Sequence, residues 1–400
     1  MRKLYTVIGL FLCILLPFSA ISQEESAKKE KKKKVKKEVK PNFKHKFTTF
    51  HLEARADFEY NYDLLKWHST AIDASPIGIP NSGQSEQHNY GFRGDYFNFL
   101  LGGEIGDHIS YFLRQRIIPV KGYKELFDNT DFLYIQYKFN DQWSVRLGKD
   151  ALYVGGFEYD APPIDVYYYT HYWGEFACFH IGASVAYTDK SGKNKIAFQV
   201  ANSPYVKYGS NSWKSGLLSY NLYWAGHYGP FHTLYSVNMM EYQRGKFINY
   251  IALGNQLKFD KWSIYVDWVN RAAHFKKFFQ DFSLVSRLDW HVSPSVNLFA
   301  KGGYEQNSTG YYYTMDDNPY VDVDMMMPND RAYYFYGLGV EYRPRIYPDL
   351  RLHAYVANST MTNFPRTDGD YNWENMQLTA NVGVTWRLDF MKFLPEKLKN

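Results

Sequence analysis

The 400-residue chain has only two cysteines, no recognisable catalytic signature and, beyond an N-terminal stretch from Leu4 to Phe18, no long apolar run. Each shortage excludes something. A bundle of transmembrane helices needs several apolar runs of about 20 residues, so that class is ruled out. Mean hydropathy of −0.47, with 45% hydrophobic and 22% charged residues, would otherwise suit a soluble protein. Cys13 lies inside the N-terminal apolar stretch, which leaves Cys178 alone in the body and no internal disulfide there,. The 12 histidines show no His-Glu-x-x-His spacing, and neither paired cysteines nor Gly-x-Ser-x-Gly occurs,. No catalytic residue, metal site or cofactor is therefore expected. What the chain has in excess is rings. Tyr 37, Phe 29 and Trp 10 make up 19% of it, and tyrosine outnumbers glycine at 28. That is too aromatic for a disordered chain. A sequence polar on average yet crowded with amphipathic rings fits a membrane β-barrel, which alternates lipid-facing with water-facing residues and belts its rims with Tyr and Trp.

The N-terminus reads as an address. Arg2 and Lys3 precede the apolar stretch, and small residues at Ala20 and Ser22 fit cleavage after Ser22, so residues 1–22 are expected to be an export signal,. Residues 23–46 hold nine of the chain's lysines between Lys28 and Lys40, a like-charge block that repels itself and is expected to be a disordered periplasmic arm,. With signal and arm set aside, the body is close to neutral, about −2, so the pI of 8.7 describes the leader. Nucleic acid is not an expected partner of an exported chain.

From Phe50 the alternation is strict. Phe50, Leu52, Ala54, Ala56, Phe58 and Tyr60 share one face, and His51, Glu53, Arg55, Asp57 and Glu59 the other,. The same stripe returns at Leu133, Ile135, Tyr137 and Phe139, and at Leu378, Ala380, Val382, Val384, Trp386, Leu388 and Phe390. Short turns such as Gly106-Asp107, Gly229-Pro230 and Asp260-Lys261 alternate with long connections at 61–89, 150–175, 305–330 and 361–374. The reading is all-β: a transmembrane antiparallel up-and-down β-barrel of about 16 strands over 47–390, with 391–400 a short C-terminal tail. Both termini then lie on the short-turn side, which in outer-membrane barrels faces the periplasm. About 16 strands leave an interior too wide for side chains to fill, and so an aqueous channel.

Parity places Arg55, Arg114, Arg116, Lys138 and Arg146 on the inner wall as a basic patch. Two roles are open to them. Guanidinium groups stay charged and can draw anions through a pore; or internal carboxylates such as Glu53 and Asp57 hold them and they shape the wall. Asp267, Arg287, Asp289 and His291 give the far strands mixed sign. The long connection at 150–175 carries glycines, prolines and a dense aromatic cluster. It is the third long one from the N-terminus and is expected to fold into the lumen as a constriction built from Tyr153, Glu158, Tyr159, Asp160, Asp165, Tyr167, Tyr168 and Tyr169, an outer cap being the alternative. Acidic stretches at Asp316, Asp317, Asp322 and Asp324, and at Asp368, Asp370, Asn372 and Glu374, offer oxygens in the manner of a calcium loop, but Gly369 is out of place and they read as solvated loops,.

Arg146-Leu147-Gly148-Lys149, followed by the Gly/Pro-rich loop, resembles the R-x-G-K/Q strand of the phosphate-selective porin O/P family. Val200-Ala201-Asn202-Ser203 resembles that family's V-x-N-G segment, with Ser203 in place of Gly. The resemblance spans 47–390. It implies a 16-stranded, usually trimeric channel of the bacterial outer membrane with its third loop folded inward. The chain departs from the pattern in that the loop carries Glu158, Asp160 and Asp165 and no Arg or Lys after Lys149, which puts phosphate specificity in doubt. The expected function is passive diffusion of small hydrophilic solutes or ions, with a mild anion preference and with lipid, solutes and two further copies as partners. The rival classes are an outer-membrane lipid hydrolase and a surface-adhesion or structural barrel.

Overall fold

The computed structural model describes residues 45–69, 82–117, 127–205, 215–272, 279–308, 330–364 and 371–398. The expected export signal, nearly all of the lysine-rich arm, and the acidic loop residues Asp316, Asp317, Asp322, Asp324, Asp368 and Asp370 lie outside them.

Sixteen strands follow one another: β1 (His45–Ser69), β2 (Ser82–Ile105), β3 (Ile109–Arg116), β4 (Thr130–Lys138), β5 (Trp143–Ala151), β6 (Phe179–Thr188), β7 (Asn194–Asn202) and β8 (Leu218–Tyr228). The second half is β9 (Phe231–Gln243), β10 (Lys246–Lys258), β11 (Trp262–Ala272), β12 (Asp281–Ser293), β13 (Val296–Asn307), β14 (Arg331–Tyr342), β15 (Leu350–Asn363) and β16 (Tyr371–Asp389). Every neighbour in sequence is an antiparallel neighbour in space, and β1 pairs with β16, so the sheet closes on itself. Closure leaves no unpaired edge at the seam, which is what hydrocarbon demands of a backbone that cannot bond to water. The expected strand number and order are those observed.

The distribution of side chains is the inverse of a soluble protein's. Glu53, Arg55, Asp57, Arg114, Asp267, Lys301 and Glu305 are buried, while Leu133, Ile135, Leu147, Leu338, Val356 and Val382 are exposed. On β1 the outward stripe contains Phe58 and Tyr60 and the inward one Glu53, Arg55 and Asp57, as parity requires. At the short-turn rim Trp262 and Trp290 stack at 5.2 Å with an interplanar angle of 2°, and Trp143 lies 4.9 Å from Tyr187, two pieces of an aromatic belt,.

The first hairpin differs from expectation. Residues 61–89 were expected as a loop, yet β1 runs on to Ser69 and β2 begins at Ser82. Only about 9–11 residues of a strand are needed to cross a bilayer, so strands of 25 and 24 residues overshoot it. Polar cross-strand bonds tie the other face of the extension: Thr379 donates to Asn61 at 2.6 Å, Gln377 to Asp63 at 2.7 Å and Asn89 to Asp63 at 3.2 Å. Pairing in water needs no hydrophobic signature, so periodicity alone missed it. Strand β1 also starts two residues before the expected Phe47, and because β5 reaches Ala151 and β6 begins only at Phe179, the third long connection shifts to 152–178.

Candidate functional site: the inner wall and the 152–178 segment

The arginines of the expected basic patch are each met by a carboxylate. Arg114 and Arg116 on β3 share a carboxylate: Arg114 Nε donates to Asp131 Oδ2 at 2.8 Å and Arg116 Nε to both Asp131 oxygens at 2.9 Å. Asp131 has the wrong parity for the inner face of β4. It reaches that face because the ladder slips there: Arg114 pairs with Phe132 and Gln115 with Thr130, leaving Asp131 as the extra residue of a β-bulge,. The same device serves Arg55. Its partner Tyr96 is followed in the ladder by Ala56 opposite Gly94, so Asp95 is the extra residue, and it accepts from Arg55 Nε at 3.2 Å and from the Nη2 of the same fork. Asp57 adds an ion pair to Arg55 at 3.2 Å, whereas Glu53 pairs with Arg387 instead. Arg146, mid-wall on β5, is held by Asp150 at 2.6 Å and by Gln136 at 2.9 Å. Lys138 ends β4 on the short-turn side and lines the same cavity as Arg146.

The 152–178 segment is bonded around the ring. Toward β9, Gly155 N–H donates to Ser236 Oγ at 2.9 Å and Asn238 Nδ2 donates to the Tyr153 carbonyl at 2.8 Å. A short helix at Phe157–Asp160 follows, where Glu158 N–H donates to Asp267 on β11 at 2.7 Å and the Glu158 carboxylate pairs with Lys301 on β13 at 2.6 Å. Lys301 also donates to the Tyr168 carbonyl at 2.6 Å. Toward β1, Arg55 donates to the Val166 carbonyl at 2.8 Å; toward β15, Arg351 donates to the Ile164 carbonyl at 3.0 Å and pairs with Asp165 at 2.6 Å. Tyr167 Oη donates to Glu341 on β14 at 2.9 Å. At a second short helix, His171–Glu175, the free N–H groups of His171 and Tyr172 donate to Glu305 at 2.5 and 3.2 Å. Strands β1 and β9 stand eight apart in a ring of sixteen, so the segment is tied to opposite sides of the cylinder.

Packing explains the glycines. A Cβ at Gly155 would lie 2.4 Å from the Leu234 carbonyl oxygen, and one at Gly254 would lie 2.8 Å from the Cα of Gly156, so loop and wall meet backbone to backbone,. Tyr172, Phe176, Leu152 and Val154 join Tyr205, Met240, Ile248 and Tyr250 in the main apolar cluster.

On the short-turn side a cavity of about 170 Å³ is lined by Lys138, Arg146, Tyr153, Ser184 and Lys195, among others. Tyr153 Oη bonds Ser184 at 3.0 Å, and Tyr159 Oη donates to the Leu152 carbonyl at 3.0 Å. Asp160 keeps contact with water in this crowded region. Loss of much of its hydration pushes its carboxyl above the usual range, with nearby Lys195 opposing,. Burial likewise lowers the His171 imidazole, helped by Arg331.

Sequence reasoning brought the loop's tyrosines and acids to the right segment but missed their partners. Lys301, Glu305, Glu341 and Arg351 each sit at an inward parity position, which was a usable signal. Asp95 and Asp131 gave none, because a bulge is invisible to strict period-two reading. In the resembling motif, Gly148 has φ of 131° and Lys149 is buried, its Nζ donating to the Phe127 carbonyl at 2.8 Å.

No family model matches the chain, and no curated protein matches it. Solved structures do. The chain is similar to Pseudomonas putida OprB at 11% identity, over 86% of this chain and 94% of that one, with a TM-score of 0.49. It is similar to the outer membrane channel DcaP of Acinetobacter baumannii at 11% identity, over 83% and 96%, with a TM-score of 0.48. A mutant of the Rh. blastica porin matches at 10% identity, over 85% and 100%, with a TM-score of 0.41.

Proposed function

We propose that the protein is a channel of the bacterial outer membrane through which small hydrophilic solutes and ions diffuse passively. One observation carries the reading: a closed ring of sixteen strands whose buried face is charged and whose exposed face is apolar. A ring of this size leaves room for water at its centre, and an apolar outer band matches hydrocarbon. The export signal read at residues 1–22 fits a route through the periplasm.

The 152–178 segment lies within the lumen and narrows it; its bonds to both β1 and β9 support this. Tyr153, Glu158, Tyr159, Asp160, Asp165, Tyr167, Tyr168 and Tyr169 then form the constriction. Ion selectivity is weak, because Arg55, Arg114, Arg116 and Arg146 are each met by a carboxylate. A mild anion preference resides at Lys138 and Lys195, which have no carboxylate within ion-pair distance among the described residues. The O/P-like motif further implies a homotrimer, which cross-linking in detergent tests.

Swelling of proteoliposomes tests the channel reading. Small sugars and amino acids are expected to enter at rates that fall steeply with solute size. Equal rates with and without the protein would contradict the reading.

A further inference from the structure

We propose that the exposed edge of the 152–178 segment carries a stacking platform for the face of a neutral pyranose sugar, formed by Tyr169 and Trp173. This rests on the channel reading above. Most rings of the segment are committed to packing: Tyr167, Tyr172 and Phe176 are buried in apolar clusters. Tyr169 is the exception. It is 41% exposed, and its ring lies 4.7 Å from that of half-buried Trp173, tilted by 40°. Gly174 makes the arrangement possible, since a Cβ there would lie 2.6 Å from Tyr169 Cε2. Thr170 fixes the turn between the two rings by accepting from Trp173 N–H at 3.1 Å.

The surroundings choose the ligand class. Tyr169 is within electrostatic reach of Arg93, Asp95, Arg55 and Glu175. Arg93 is largely open to solvent, yet it already bridges Glu59 at 2.9 Å and Asp95 at 3.0 Å. Paired charges of this kind attract no net ion, but their remaining donors and lone pairs can bond hydroxyls. A pyranose presents that combination, with an apolar face for rings and hydroxyls around its rim. An acyclic polyol of the same size offers the hydroxyls without the face.

The test uses the full mature protein in planar lipid bilayers, with glucose and sorbitol as probes of ion current. Glucose is expected to depress the current at concentrations roughly tenfold lower than sorbitol. Tyr169→Ala/Trp173→Ala should erase that difference, read as the ratio of the two half-blocking concentrations against the variant's own open-channel current. Tyr169→Phe should preserve it. If the double variant fails to fold, Gly174→Ala keeps both rings and displaces Tyr169, and should weaken the glucose effect severalfold. Equal effects of glucose and sorbitol on the wild type, or an undiminished glucose effect in the folded variants, would overturn the platform. Loss of all current in the wild type would instead sink the channel reading on which it stands.

Discussion

Arg114 Nε lies 2.8 Å from Asp131 Oδ2, and the contact exists only because a β-bulge turns Asp131 to the inner face of β4. Two guanidinium groups depend on that one carboxylate, since Arg116 binds it as well. Asp131 is 3% exposed, so its charge is not replaceable by bulk water. Asp131→Asn is expected to destabilise the barrel by about 3–5 kcal/mol, the cost of leaving buried cations unpaired. It should also shift the reversal potential toward anions. Denaturant unfolding in micelles and a salt-gradient measurement check both effects; stability unchanged within about 1 kcal/mol would show that the bulge is incidental.

Gly148 is the second point where the backbone leaves no choice. Its φ of 131° is a region that side chains rarely adopt, and a Cβ would lie 2.2 Å from the Leu133 carbonyl oxygen,. Gly148→Ala should therefore lower the yield of heat-modifiable barrel sharply, by mispairing β4 with β5. Gly91→Ala, on β2 where a Cβ would meet nothing within 4 Å and φ is not positive, should be far milder in the same gel-shift assay.

How much of this was legible in the sequence depends on which force wrote it. The lipid face is recorded as alternation, because each outward residue must be apolar; Phe58, Leu133 and Val382 announce it. The ring order follows from turn lengths. The interior is recorded less openly. Glu158 and Asp165 could be assigned to the loop, but their partners Lys301 and Arg351 lie 143 and 186 positions further along the chain. Parity shows that those two point inward, not what they touch. The bulged acids Asp95 and Asp131 break the period that revealed everything else, so the basic patch looked less neutralised than it is. The tall β1–β2 hairpin stayed hidden because polar ladders in water need no pattern.

Lys301 holds both the Glu158 carboxylate and the Tyr168 carbonyl. Lys301→Met removes two tethers and leaves the buried Glu158 carboxylate without a counter-charge, held by Thr170 alone, so the loop should loosen. Single-channel records are expected to show more frequent transitions between current levels, and Glu158→Gln/Lys301→Met should partly restore quiet traces. Identical noise in all three proteins would argue that other contacts suffice to pin the loop.

Asp160 provides a pH signature. Its carboxyl titrates above the ordinary range because burial disfavours the charged form,. As pH falls, Asp160 loses its negative charge sooner than an open carboxylate would, and Lys195 loses a counter-charge. Anion preference should therefore rise on acidification. Asp160→Asn should show the acidic behaviour already at pH 7 and respond less to pH, as measured by reversal potentials.

The outer face yields a test of lipid contact. Val356 on β15 is 54% exposed within the apolar band. Val356→Arg is expected to cost about 2–4 kcal/mol if the site lies near the bilayer midplane, read from unfolding in lipid vesicles. A soluble barrel would tolerate arginine there without penalty.

The central claim is a water-filled passage through a closed barrel, and single-channel conductance across a planar bilayer tests it most directly. The account predicts stepwise, ohmic current from the wild type, with larger steps once the 152–178 segment is shortened. Folded, heat-modifiable protein that inserts into the bilayer and passes no current would contradict it.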